Sequence, residues 1–328
     1  VTDFAVHGGR LGEAAARHGG DPADWLDLST GINPVPWPGA PAIDWHRLPD
    51  PSDLARLEAV AARHFGVHAD HCCAVPGSEL ALRQLAQVFG LPGRYRLPCY
   101  SGHMTAFAQS RPVVAPGDLR AQPAVTILAN PNNPDGQVMD QATGLVWLAA
   151  AQARKGWLIV DEAFADSLTG TSLAQHVDDK TRLIVLRSFG KFFGLAGARL
   201  GFVIAPRAVN AALRARLGDW PINAGALAFG LGAYADRVWI AAARAELAVR
   251  AARLDAVLSR HGLSAIGACP LFRLVETDNA GPLFAALARR RILTRPFAYS
   301  PRWLRFGLAD DAGLARLDRA LTDIAPHG

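Results

Sequence analysis

Between residues 125 and 205, short apolar runs alternate with predicted helix, and this alternation limits the fold more than any other feature of the chain. Val125-Thr-Ile-Leu-Ala129, Trp157-Leu-Ile-Val-Asp161, Leu183-Ile-Val-Leu-Arg187 and Leu200-Gly-Phe-Val-Ile-Ala205 read as buried strands, with a helix over 141–155. Strands that are apolar along their whole length must be covered on both faces. That implies a mostly parallel sheet packed between helices, and so an α/β protein. Such sheets bind ligands at the carboxyl ends of their strands. Asn133, Asp161 and Ser188 each stand at or just beyond such an end.

The flanking segments have other patterns. Residues 1–50 are rich in Gly, Pro and Trp and read as an irregular N-terminal arm. A helix is predicted from Ser52 to Phe65, with Ser52 as N-cap, Leu54, Leu57, Val60 and Ala61 on its apolar face and Gly66 as its stop. Gly77-Ser78-Glu79 opens a second helix reaching about Phe89. Residues 223–260 read as long Ala-rich helix with breaks. Beyond them lie strand Leu271–Val275, helix Pro282–Arg290, strands Ile292–Arg295 and Trp303–Leu308, and helix Ala312–Ile324. The expected division is an arm over 1–50, a large domain over 51–230, and a linker helix with a small α+β C-terminal domain over 231–328.

Composition excludes several classes. The chain has 328 residues, 50% hydrophobic and 19% charged, so a large core is expected rather than disorder. The net charge of +5 comes without any block of like charges, so no nucleic-acid partner is expected and an anionic small molecule suits better. Cys72, Cys73, Cys99 and Cys269 form no CxxC pair. They fit neither a disulfide framework nor a metal site and read as buried thiols of a reducing, cytoplasmic compartment. Val1-Thr-Asp-Phe4 lacks the basic start and apolar run of a leader, and no apolar run approaches the ~20 residues that span a bilayer, so no membrane partner is expected.

The chemistry concentrates around Lys191, in Ser188-Phe-Gly-Lys191-Phe-Phe-Gly-Leu-Ala-Gly-Ala-Arg199-Leu-Gly201. One amine, a hydroxyl before it, a guanidinium after it and intervening glycines are what a pyridoxal phosphate site requires. The amine forms a Schiff base with the aldehyde, and the other groups donate to the phosphate. Asp161 could hold the ring nitrogen protonated, or simply cap a turn. Asn133, in Asn130-Pro-Asn-Asn133-Pro-Asp-Gly136, could donate to the ring oxygen O3′, or belong to an ordinary turn. Ser78 and Glu79 could offer helix N-terminal amides to a phosphate, or no more than begin a helix. Tyr100 could stack on the pyridine, or belong to the core.

Taken together, Gly77-Ser-Glu79, Pro98-Cys-Tyr100, the Asn133 loop, Asp161-Glu-Ala-Phe164 and the Lys191 segment resemble, in order and spacing, the aspartate-aminotransferase-like pyridoxal phosphate enzymes. The resemblance covers nearly the whole chain. It implies Lys191 as the Schiff-base lysine and Asp161 as the partner of the ring nitrogen. It further implies Asn133 on O3′, Tyr100 against the ring, and Ser78, Glu79, Ser188 and Arg199 on the phosphate, the first two through backbone amides. Arg305, in Trp303-Leu-Arg305-Phe-Gly-Leu308, matches the arginine that grips a substrate carboxylate. The family's fold is the expected one, and a homodimer is implied.

The arm narrows the resemblance. His7-Gly8-Gly9 and Trp25-Leu-Asp-Leu-Ser-Thr-Gly-Ile-Asn33-Pro34 look like the opening of the threonine-phosphate decarboxylases of cobalamin biosynthesis, relatives of the histidinol-phosphate aminotransferases. That implies decarboxylation of L-threonine O-3-phosphate to (R)-1-aminopropan-2-yl phosphate. His7 and Gly8 would meet the substrate phosphate, Asn33 would lie near its carboxylate, and Arg295 would be another anion ligand. The alternative is an aminotransferase acting on a phosphorylated substrate such as histidinol phosphate. Phe164 stands where those aminotransferases usually carry tyrosine, and it favours the decarboxylase. Two positions depart from the wider pattern: Leu48 replaces a frequent tyrosine, and Gly190 replaces a frequent serine before the lysine.

Overall fold

The computed structural model describes residues 4, 7–120 and 122–324. Val1, Thr2 and Asp3, on which the expectation about a leader falls, lie outside the described residues. In chain order the elements are α1 (Leu11–His18), β1 (Leu26–Asp27), α2 (Pro51–Phe65), β2 (Cys72–Val75), α3 (Ser78–Phe89), β3 (Gly93–Arg96), α4 (Ser101–Thr105) and β4 (Arg111–Val113). They continue with β5 (Val125–Ala129), α5 (Gln141–Ala153), β6 (Trp157–Asp161), β7 (Leu183–Ser188), α6 (Phe189–Phe192), β8 (Gly201–Ile204), α7 (Arg207–Leu217) and α8 (Ala224–Ala235). The last are α9 (Arg237–Arg260), β9 (Ala265–Ile266), β10 (Phe272–Glu276), α10 (Ala280–Arg289), β11 (Ile292–Leu293), β12 (Arg295–Phe297), β13 (Ser300–Gly307) and α11 (Asp311–Ile324). No helix among the described residues is long and apolar enough to cross a membrane.

The chain forms two compact units, the larger comprising residues 36–133 and 138–242. Its seven-stranded sheet has the order β2-β8-β7-β6-β5-β3-β4. Strands β4, β3, β5, β6 and β7 run parallel, β8 is antiparallel to β7, and β2 is antiparallel to β8. On one face Ile159, Ile184, Leu186 and Val203 pack with Ala81, Leu82 and Leu85 of α3 and Leu213 of α7. Side chains alternate along a strand, so this core face continues past Ile159 to Asp161 and past Leu186 to Ser188.

The smaller unit comprises residues 1–35, 134–137 and 243–328. Its four-stranded sheet has the order β12-β13-β10-β9. Residues 1–50 were expected to form an irregular N-terminal arm; residues 1–35 group with the C-terminal residues, and β1 pairs in parallel with β11. They also contain the helix α1. Helix α2 begins one residue earlier than expected, and its N-cap is Asp50 rather than Ser52. The Asp50 carboxylate accepts from Ser52 N at 2.7 Å, and Pro51 supplies a preset φ at the first helical position. Gly66, left-handed at φ 71°, ends the helix as expected. All four cysteines are buried free thiols.

Candidate active site

Asp161 ends β6 on the α3 face, with its side chain 15% exposed. Its Oδ1 accepts from Ala163 N at 3.1 Å, and its Oδ2 lies 2.9 Å from His103 Nε2. His103 is fully buried and its Nδ1 has no hydrogen-bond partner. At that contact an Nε2–H donates to the carboxylate. The His103 ring also meets Tyr100 edge to face, with centroids 5.6 Å apart.

Tyr100 precedes α4 and is half-buried. Burial pushes its phenol well above the usual range, and the Glu79 carboxylate, which accepts its hydroxyl hydrogen bond, adds to the effect. Glu79 also pairs with Arg83 at 2.8 Å. Thus the Glu79 side chain is engaged by Tyr100 and Arg83, while its backbone amide stands in the first turn of α3.

The N-terminus of α3 is approached closely from two sides. Gly77 has φ +92°, and a Cβ there would lie 2.8 Å from Arg199 Nη2. Gly201, cross-strand partner of Ser188, would place a Cβ 2.8 Å from Ser78 N. Glycine at both positions brings Ser78, Ser188 and Arg199 around one helix N-terminus, where amides and dipole favour an anion. Lys191 lies half-buried on α6, the turn that follows Ser188, held by the fully buried Phe189, Phe192 and Phe193. Gly190 departs from the frequent serine for a steric reason: a Cβ would fall 2.5 Å from Ala196 Cα.

The loop after β5 divides its asparagines by task. Asn130 exchanges hydrogen bonds with the backbone of Met139, and Asn132 donates to Pro98 O at 2.9 Å. Asn132 therefore ties this loop to the one carrying Tyr100. Asn133 is half-buried, and Phe164 is buried and carries no hydroxyl.

In the smaller unit two of the expected substrate residues, Gly8 and Arg305, meet at Ser29. Gly9 N donates to Ser29 Oγ at 2.8 Å, and a Cβ at Gly8 would fall 2.4 Å from Ser29 O. Arg305 Nη2 donates to the same Ser29 O at 3.0 Å. Arg295 stands opposite Arg305 across the β12–β13 pair and donates to Phe4 O at 2.5 Å. Both arginines are buried. Burial first, and then the charge of Arg295, push the Arg305 guanidinium down to about 10; Asp27 offsets this in part. Two cations facing each other away from water are relieved by an anion. Asn33 is buried with its Oδ1 accepting from Val35 N, and His7 is exposed.

The larger unit's residues fit pyridoxal phosphate. Asp161 is a carboxylate supported by His103 and a backbone amide, Lys191 supplies an amine, and glycine clears a helix N-terminus beside a guanidinium. Sequence reading missed His103 and the Glu79 side chain. The only local signal for His103 was its place three residues after Tyr100, one helical turn on.

The aminotransferase class I and II family model matches residues 103–321. The chain is 43% identical to a threonine-phosphate decarboxylase of Pseudomonas aeruginosa, covering 96% of each, and 42% identical to one from a Sinorhizobium species, covering 97% and 96%. The solved histidinol-phosphate aminotransferase of Sinorhizobium meliloti, in complex with pyridoxal 5′-phosphate, has the same fold. Its TM-score is 0.79 at 20% identity, over 96% of this chain and 94% of that one.

Proposed function

Because the chain belongs to the aminotransferase class I and II family, and within it to the threonine-phosphate decarboxylases, we infer that it is a pyridoxal-phosphate-dependent carboxy-lyase. It converts L-threonine O-3-phosphate to (R)-1-aminopropan-2-yl phosphate and CO2. The observation that carries this reading is the gathering of Gly8, Gly9 and Arg305 on Ser29, with Arg295 across the strand pair. It supports a substrate with more than one anionic group.

When bound, the cofactor supplies an aldehyde for the substrate amine and a ring that takes up the electron pair left at Cα. Lys191 would hold it through Nζ, give way to substrate, and return a proton to the substrate Cα after CO2 leaves. Asp161 would meet the ring nitrogen, and the His103 hydrogen bond would keep that carboxylate aimed. Ser78 and Glu79 amides, Ser188 and Arg199 would take the cofactor phosphate. Asn133 would take O3′, and Tyr100, steadied by Glu79, would cover the ring. His7, Gly8 and Arg295 would take the substrate phosphate, and Asn33 and Arg305 its carboxylate.

The enzyme is read as a cytoplasmic homodimer. Exposed Trp45, Leu48 and Trp220 support an interface, and four free thiols support a reducing compartment. Full activity of a monomer at nanomolar dilution would contradict the dimer.

The test is turnover of phosphothreonine beside histidinol phosphate, with Lys191→Ala as the blank. CO2 release without any 2-oxo acid acceptor is expected from phosphothreonine only. Strict dependence on 2-oxoglutarate would select the aminotransferase instead.

A further inference from the structure

The ends of β6 and β7 carry a second polar cluster, on the face opposite Asp161 and Ser188. Strand alternation sends Glu162, one residue after Asp161, and Arg187, one residue before Ser188, to this reverse face. There Arg187 Nη1 donates to Glu162 Oε2 at 2.7 Å, and Nη2 donates to Asp166 Oδ1. Glu162 also accepts from Ser172 Oγ at 2.6 Å and from Leu173 N at 2.7 Å. His64 Nε2 reaches Asp166 Oδ1 at 2.9 Å, and the guanidinium lies 4.8 Å over the Phe65 ring. All three charged groups are buried.

A buried charge network of this kind stabilises a fold poorly compared with apolar packing, since desolvation offsets the attraction. Its distinctive property is geometric. A planar two-point donor holds two carboxylates in fixed directions, and here it joins adjacent strands one residue from each proposed cofactor ligand.

We propose that Arg187 and Glu162 are positioning residues for the cofactor site: their pairing on the reverse face fixes the last residues of β6 and β7 so that Asp161 and Ser188 are presented together on the front face. This rests on the reading of Asp161 and Ser188 as cofactor ligands. Arg187 and Glu162 need not touch the cofactor.

The experiment compares wild type with Arg187→Lys, the double variant Arg187→Met/Glu162→Met, Ser172→Ala and Asp161→Asn. In the double variant both charges leave together, and Asp166 keeps His64 as its partner. Three quantities are read: the pyridoxal phosphate Kd by fluorescence quenching, the pH midpoint of the bound cofactor's visible band, and the urea midpoint of each variant. The double variant is expected to fold with a lowered urea midpoint, because Ser172 and Leu173 lose their acceptor and Asp166 its guanidinium, and to bind pyridoxal phosphate at least tenfold more weakly with a displaced pH midpoint. Arg187→Lys should fall between the two, and Ser172→Ala should weaken binding two- to threefold. Folded variants whose Kd and pH midpoint both match wild type would overturn the proposal. Should the double variant fail to fold, an unchanged Kd and midpoint in Arg187→Lys and Ser172→Ala would overturn it equally, and weakened binding in both would support it. Asp161→Asn with wild-type Kd and midpoint would instead sink the cofactor reading itself.

Discussion

Two arginines, Arg187 in the larger unit and Arg305 in the smaller, are buried to nearly the same degree, at 4% and 6% exposure, in opposite electrostatic settings. Burial alone would lower the pKa of each. For Arg187 the carboxylates of Asp166 and Glu162 outweigh burial and raise it well above the ordinary range. For Arg305, burial and then the charge of Arg295 take it down to about 10, with Asp27 offsetting this in part. A buried cation matched by carboxylates is architecture, complete without a ligand. A buried cation set against a like charge gains most when an anion arrives. The difference supports the proposal that Arg187 serves the fold and Arg305 the substrate.

The comparison can be broken most forcefully at Arg187. Arg187→Ala leaves Glu162 and Asp166 buried without their shared counter-charge, and should lower stability by about 3–5 kcal/mol in urea unfolding. A change within the scatter of the wild-type midpoint would show that Arg187 is not an architectural charge. Arg305→Met should do the reverse. It removes one of two repelling cations, so the urea midpoint should hold or rise and cofactor affinity should stay unchanged, while kcat/KM for phosphothreonine falls about 100-fold or more. Loss of stability without loss of kcat/KM would place Arg305 with Arg187.

A pH series sharpens the same contrast. Burial would raise the Asp166 carboxyl, but the charge of Arg187 and the hydrogen bonds from His64 and Arg187 outweigh it and hold it well below the usual range. An acid depressed on folding stabilises the protein above its unfolded value of about 3.9 and loses that contribution as pH falls below it. Wild type should therefore lose stability between about pH 5 and pH 3 more steeply than Asp166→Asn, as read by urea midpoints; equal slopes would contradict the pairing. The smallest effect is expected at Arg207, which pairs with Asp179 on the exposed surface. Arg207→Ala should leave the urea midpoint unchanged within error.

Much of this was legible in the sequence because the signals were local. Val125–Ala129, Trp157–Asp161 and Leu183–Ser188 are legible as strands because short apolar runs rich in Val and Ile favour strand over helix, and the residues at their ends follow from the topology of parallel sheets. What escaped depended on partners distant in the chain. The reversal of β8 relative to β7 is set by tertiary pairing. Leu26 and Asp27 join the C-terminal unit by pairing with Ile292 and Leu293. His103 matters because Asp161 lies 2.9 Å away, 58 residues further on. Gly190 makes sense only once Ala196 is seen against it. Asp50 was a local miss, since a carboxylate before Pro51 signals a helix start as well as Ser52 does.

The most direct measurement is a reaction in D2O with phosphothreonine labelled at its carboxyl carbon, with pyridoxal phosphate present and every 2-oxo acid absent. The account predicts labelled CO2 released one-for-one with an aminopropanol phosphate that carries a single new deuteron at the carbon that lost it. Retention of the label in the organic product, with turnover only after a 2-oxo acid is added, would contradict it.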